Sequence, residues 1–212
     1  MKLLIGIALV TVVFATGCSK DYYADGGTLN PDETMTLGVS TMDYLKSRPE
    51  IFDTLTTLIT MTGLEDAVNT NGSTFLAPKN YSIYNYFKLL YPDPEKRPKT
   101  FSEITEEEME NIKTILKDYI IPGKQIVRNE LNTTYSYDTT YGGGKARFNV
   151  VQGDYLGNVN MGAKYIIFSL DVVRIPGGPE FYQSAMVETA DLHATNGIVH
   201  ILAADSHIFG FN

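Results

Sequence analysis

The stretch Ala194 to Leu202, read as Ala-Thr-Asn-Gly-Ile-Val-His-Ile-Leu, constrains the fold more than any other part of the chain. Asn-Gly is the dipeptide that most readily takes positive φ at both central positions of a tight hairpin turn, and β-branched residues follow it at once. The pattern predicts a hairpin turning on Asn196 and Gly197, with Gly197 at positive φ. One strand is expected over Ser184 to Leu192 and the other over Ile198 to Leu202.

The rest of the second half is also β-rich. Ile126-Val127, Thr133 to Tyr141, Ala146 to Val151 and Tyr165 to Val173 are separated by glycine-rich turns, as an antiparallel sheet system requires. The first half is helical. Ile51, Phe52, Leu55, Leu58, Ile59 and Thr62 recur at helical spacing, with Pro49 placed to open that helix and Gly63 to close it. Thr74 to Ala77 reads as a short strand stopped by Pro78, and Ser82 to Leu90 as a helix placing Ile83, Phe87 and Leu90 inward. Thr105 and Glu108 form a capping box, so the acids there suit a helix N-terminus. They lack the alternating ligands and glycine of a calcium loop. Met109, Ile112, Leu116 and Tyr119 make the inward stripe of that helix, ended by Pro122-Gly123. Helices first and strands afterwards is α+β by class.

Three ordered segments carry a family resemblance. Asn196, Gly197, Ile198, Val199, His200 and Ile201 stand in the register of the second fasciclin box, Asn-Gly-Val-Val-His-Val-Ile-Asp, with Ala203 where the aspartate usually lies. Thr74-Phe75-Leu76-Ala77-Pro78-Lys79-Asn80 resembles the first box, and Leu116 to Gly123 is similar to the family's tyrosine segment, with Ile120 replacing a histidine. The resemblance implies a wedge-shaped β-sandwich flanked by α-helices over residues 41–212. It further implies that His200 is structural and bonded across the core toward Tyr119, and that the domain serves adhesion or binding rather than catalysis.

Met1-Lys2 followed by the apolar run Leu3 to Ala15 reads as a signal peptide over residues 1–17. Ala15-Thr16-Gly17-Cys18 resembles a lipobox, so the sole cysteine, Cys18, is the expected lipidation site of a bacterial lipoprotein, leaving no thiol for a disulfide, metal site or nucleophile. Ser19-Lys20-Asp21 is similar to the signals that send Bacteroidetes-type lipoproteins to the outer face of the outer membrane. The Gly, Asp, Thr and Pro content of residues 18–40 reads as a flexible tether. A net charge of −8 argues against nucleic acid as partner. The basic loop Lys96-Arg97-Pro98-Lys99 is expected to be merely solvated.

His193, His200 and His207 recur every seven residues. The hairpin separates the first two, and odd spacing along a strand puts the last two on opposite faces, so no metal site is expected and no cofactor is implied. Asp191 and His193 share a strand face, but no Gly-x-Ser-x-Gly elbow accompanies them, and no catalytic residues are assigned. Tyr135, Tyr137 and Tyr141 lie at even spacing opposite a polar face, which predicts that they pack inward. Were they exposed instead, they would be the first choice for contact with a cell-surface or extracellular protein, or for stacking on a glycan. The runner-up function is accordingly a glycan-binding accessory of a nutrient-uptake complex.

Overall fold

The structure is a computed structural model that describes residues 35–154, 156, 162–205 and 207–211. The leader, Cys18 and most of the segment read as a tether lie outside the described residues. Among the described residues five α-helices come largely first: α1 (Thr41–Lys46), α2 (Pro49–Met61), α3 (Glu65–Val68), α4 (Asn80–Leu90) and α5 (Glu106–Lys117). The strands are β1 (Met35–Thr36), β2 (Ser73–Ala77), β3 (Ile120–Ile121), β4 (Ser136–Thr139), β5 (Lys145–Gln152), β6 (Lys164–Asp171), β7 (Tyr182–His193) and β8 (Gly197–Leu202). The class is α+β. The folded part begins before Thr41: β1 pairs with the end of β7 and Ser40 caps α1, so residues 35–40 are held against the domain rather than free in the tether.

The strands run in the order β3-β2-β8-β7-β6-β5-β4, with β1 beside β7. Pairing is mixed rather than purely antiparallel, because β2 and β8 lie parallel from Ser73 opposite Gly197 to Ala77 opposite Ile201. The first half of β7 pairs with β6 and the second half with β8, with register shifts on either side of Thr189. Such bulges bend a strand, which lets β7 pass between the two layers of a sandwich. Alternation does the rest: Ala146, Phe148 and Val150 of β5 and Ile166, Phe168 and Leu170 of β6 are buried in one core with Phe52, Leu55, Leu58 and Ile59 of α2.

Local rules hold at the ends of α2 and at the start of α5. Pro49 opens α2, Gly63 follows it at φ +68°, and Thr105 and Glu108 make both bonds of the capping box on α5. Leu90, expected inward, is exposed at the end of α4. Helix α5 stops at Lys117, earlier than Pro122-Gly123 suggested, because Ile120 and Ile121 are taken up as β3 against Phe75 and Thr74. Ile126-Val127 does not form a strand. The first turn of α1 is capped from three places: the N–H groups of Thr41, Met42 and Asp43 donate to Asn196 Oδ1 at 2.8 Å, Asn69 Oδ1 at 3.0 Å and Ser40 Oγ at 3.1 Å. Those are donors a helix cannot satisfy internally.

The hairpin exists, but its turn differs from the expectation. Ala194 N–H donates to the Gly197 carbonyl at 2.9 Å, which places Thr195 and Asn196, neither with positive φ, in the turn. Gly197 is a strand residue outside the left-handed region, and its glycine character answers a close approach instead. A Cβ there would stand 2.3 Å from the Ser73 carbonyl oxygen across the parallel pair. The sequence pattern saw the turn and not the neighbouring strand. Gly197→Ala, harmless in an unhindered strand, should therefore lower stability by ~1–3 kcal/mol through forced separation of β2 and β8. Urea midpoints would check it, and coincident midpoints for the two proteins would remove the close-approach reading.

Candidate functional site

Alternation along β5 turns Lys145, Arg147, Asn149 and Val151 away from the core residues. Val151 stands opposite Tyr165 of β6, and Tyr137 of β4 opposite Arg147, so these side chains share the outer face of the sheet. Tyr137 is 60% exposed, and Tyr135, Val151 and Tyr165 are exposed beside it. The expectation that the tyrosine ladder packs inward is thus overturned. Its polar partner face points in, where Thr140 is buried and its Oγ1 donates to Asp118 Oδ1 at 2.7 Å. A buried acid acceptor makes the polar face the inner one, which composition alone could not reveal. Tyr141 is exposed but belongs to the β4–β5 turn, so only Tyr135 and Tyr137 adjoin, edge to face with centroids 6.3 Å apart.

Arg147 is the centre of this face. Its Cζ lies 4.0 Å from the Tyr135 ring centroid and 3.9 Å from that of Tyr182, a guanidinium held between two rings. Ser169, opposite Arg147 on β6, is small and bonded to Ser184 of β7 at 2.8 Å, so the long side chain can lie across it. Arg147 Nε is buried without a hydrogen-bond partner, and among the described residues Arg147 enters no salt bridge, whereas neighbouring Lys145 is paired with Glu180. Burial first, then the hydrogen bond its hydroxyl donates to Glu180, pushes the Tyr182 phenol up to about 12, so it stays protonated. Arg147 and Tyr182 were not picked out in the sequence. The alternation Lys145-Ala146-Arg147-Phe148 could have flagged Arg147, but nothing local joins it to Tyr182.

The motif residues sit elsewhere and are structural. His200 is fully buried; Asp191 N–H donates to its Nδ1 at 3.2 Å, so Nε2 carries the proton and donates to the Ile126 carbonyl at 2.9 Å. Thr74 Oγ1 holds the same segment, accepting from Ile126 N–H and donating to the Lys124 carbonyl, both at 2.8 Å. Tyr119 is not the partner of His200. Gly210 N–H donates to the Tyr119 hydroxyl, which donates to His207 Nε2, each at 2.8 Å. The Tyr119 ring stacks on Phe209, with centroids 5.6 Å apart. His207, Phe209 and Phe211 recur at every second residue and all three are buried, a short alternation that was not picked out in the sequence. Asp191, the other member of the relay considered for His193, accepts from Arg128 N–H at 2.9 Å. No group of three His, Cys, Asp or Glu side chains fit to hold a metal ion occurs among the described residues.

Burial lowers the His200 pKa and sets that of His207 at about 3, against an ordinary 6.5. Both imidazoles are neutral in the fold, whereas an unfolded chain takes up protons below about pH 6.5. Their contribution is therefore complete above that pH and is lost as pH falls below it, for His207 down to about 3, with a limiting slope of ~1.4 kcal/mol per pH unit for each histidine. Urea midpoints between about pH 7 and 5, where most carboxylates remain ionised, should fall with pH. His207→Gln, which keeps an acceptor for Tyr119, should flatten that dependence. An unchanged slope in the variant would separate His207 from the acid sensitivity.

Residues 50–204 match the family model described as Fasciclin domain. No curated protein matches the chain. Among solved structures, that of a FAS1 domain pair from the insect cell adhesion molecule Fasciclin I is similar, with 21% sequence identity and a TM-score of 0.46. That match covers 73% of this chain and 43% of the other, so this chain spans less than half of the solved pair. With the family match extending over well more than half of its length, the chain belongs to the fasciclin domain family.

Proposed function

We propose that this chain is a lipid-anchored, outward-facing outer-membrane lipoprotein whose fasciclin domain acts as a non-catalytic adhesion module, binding a cell-surface or extracellular protein through the outer face of β4 to β7. The observation that carries this reading is the exposed Tyr135 and Tyr137 beside Arg147, a guanidinium clamped between tyrosine rings with no carboxylate partner among the described residues. Tyrosine and arginine combine large contact area with directional polar tips and are the residues that dominate protein interfaces. The alternative, a sugar-stacking platform, needs free ring faces. Arg147 already occupies one face of Tyr135 and one of Tyr182, which favours the protein partner.

The anchor rests on the leader, the lipobox ending at Cys18 and the Lys20-Asp21 signal. More than one acyl chain, at ~0.8 kcal/mol per buried methylene, gives stable attachment. The non-catalytic part of the reading rests on His200 and His207 being buried, neutral and bonded within the scaffold.

The Tyr135→Ser/Tyr137→Ser double variant should keep its native circular dichroism, because both side chains are exposed. Its affinity for purified surface and matrix proteins bound by the native domain should fall about thirtyfold or more, as for hot-spot losses of ~2 kcal/mol or more. Retained affinity would move the interface elsewhere, and binding on a glycan array that these substitutions abolish would favour the sugar reading. For the anchor, the intact mass of detergent-extracted protein should show acylated Cys18 at a mature N-terminus, and Cys18→Ala should release the domain from the membrane. An unmodified Cys18 in the mature chain would end that part of the proposal.

A further inference from the structure

The basic loop expected to be solvated does not simply extend into solvent. Arg97 lies over α4 with its Cζ 5.5 Å from the Tyr84 ring centroid, and its Nη2 donates to the Tyr91 carbonyl at 3.2 Å. Between this loop, the turn at Phe101–Glu103 and α4 runs a groove of about 500 Å³. Ile83 and Phe87 form one wall, and Phe101 and Ile104 are among the residues lining it opposite. Ile83 is fully buried, while Phe87, Phe101 and Ile104 are only partly buried against the core, so the groove is an unfilled extension of apolar packing.

Arg97 gives this apolar groove a charge. Its Nε is buried with no hydrogen-bond partner, and among the described residues no carboxylate lies within ion-pair distance of its guanidinium. The adjacent lysines differ, for Lys96 faces Asp93 and Lys99 faces Glu95, each at 3.9 Å. A buried donor of a charged group without an acceptor is costly, and the commonest remedy is a partner that completes it. The groove also falls within the ~300–1,000 Å³ range of small-molecule sites, which are apolar with a few placed polar groups.

We infer that this groove is a binding site for a small amphiphilic carboxylate, its apolar body between α4 and Phe101 and its carboxylate on Arg97. One guanidinium supplies the charge. The carboxylates of Glu95 and Glu103, which engage Lys99 through its ammonium and backbone N–H, stand close by and oppose a multiply charged phosphate. The site is separate from the tyrosine face in residues and in ligand class.

Calorimetry with 4-phenylbutyrate, 4-phenylbutan-1-ol and butyrate separates charge from apolar body. The aromatic acid should bind about tenfold or more tightly than either control, the scale of a charge-assisted hydrogen bond. Its addition should shift backbone amide resonances within Asn80–Leu90 and Phe101–Glu103. Arg97→Gln should weaken the acid to the level of the alcohol and leave the alcohol unchanged, while Tyr135→Ser/Tyr137→Ser should leave all three unchanged. Should Arg97→Gln fail to fold, the comparison of acid and alcohol on the native chain decides alone. Equal affinities for acid and alcohol, equal affinities for acid and butyrate, shifts confined to other elements, or no binding of the aromatic acid would each overturn the assignment.

Discussion

The parallel pairing of β2 with β8 is the constraint on which the rest of the fold depends. A parallel pair cannot be closed by a tight turn, so the chain must travel through two helices and five strands before Gly197 reaches Ser73. Once it does, β2 offers its other edge to β3, and β8 offers its own to β7, which leads on to β6, β5 and β4. The polar side chains of the pair work inside the scaffold. Thr74 and His200, one from each strand, hold the segment from Lys124 to Ile126, and Asn196 just before β8 caps the first helix. Loss of contact between these two strands would thus release a helix, a loop and a sheet edge together.

Much of this was legible because short-range chemistry announces itself. Pro49, Gly63 and the Thr105–Glu108 capping box mark helix ends through the conformations and bonds of their own neighbours, and the structure places them so. Residues whose role depends on a distant partner were read less well. Asn196-Gly197 looks like a primed turn until Ser73 arrives within van der Waals reach and Thr41 needs an acceptor. The resemblance points Tyr119 toward His200, yet its hydroxyl is taken by His207 and Gly210, supplied by the segment that follows the last strand. The tyrosine ladder failed for a related reason, since the buried Asp118 recruits Thr140 and turns the polar side of that segment inward.

The division between scaffold and surface follows from where polar groups find partners. The family motifs are rich in hydroxyl, amide and imidazole groups, and these are buried with hydrogen bonds that a mutation would leave broken. Their presence therefore speaks for a fold and says little about a ligand. Binding capacity must be sought among side chains the fold leaves uncommitted. The exposed aromatics of β4 to β6 meet that condition, as buried, doubly bonded His200 does not.

Three arginines show how the same side chain is assigned different work by its neighbours. Arg174 meets Asp118, a largely buried carboxylate that also accepts from Thr140, so its charge is neutralised and it ties the end of α5 to the loop after β6. Among the described residues Arg147 has no carboxylate partner but two tyrosine rings, which stabilise a cation without consuming its hydrogen-bond donors. Arg97 has the Tyr84 ring and hydroxyl, the Tyr91 carbonyl and an apolar groove, and its Nε remains without an acceptor. Stabilisation by a carboxylate in the fold leaves little for a ligand to add, whereas a guanidinium steadied by π faces is positioned in advance and still lacks its counter-charge. Preorganisation of that kind lowers the ordering cost of association. Arg97 and Arg147, neither with a carboxylate partner among the described residues, are therefore better prepared than Arg174 to meet a negatively charged group from outside.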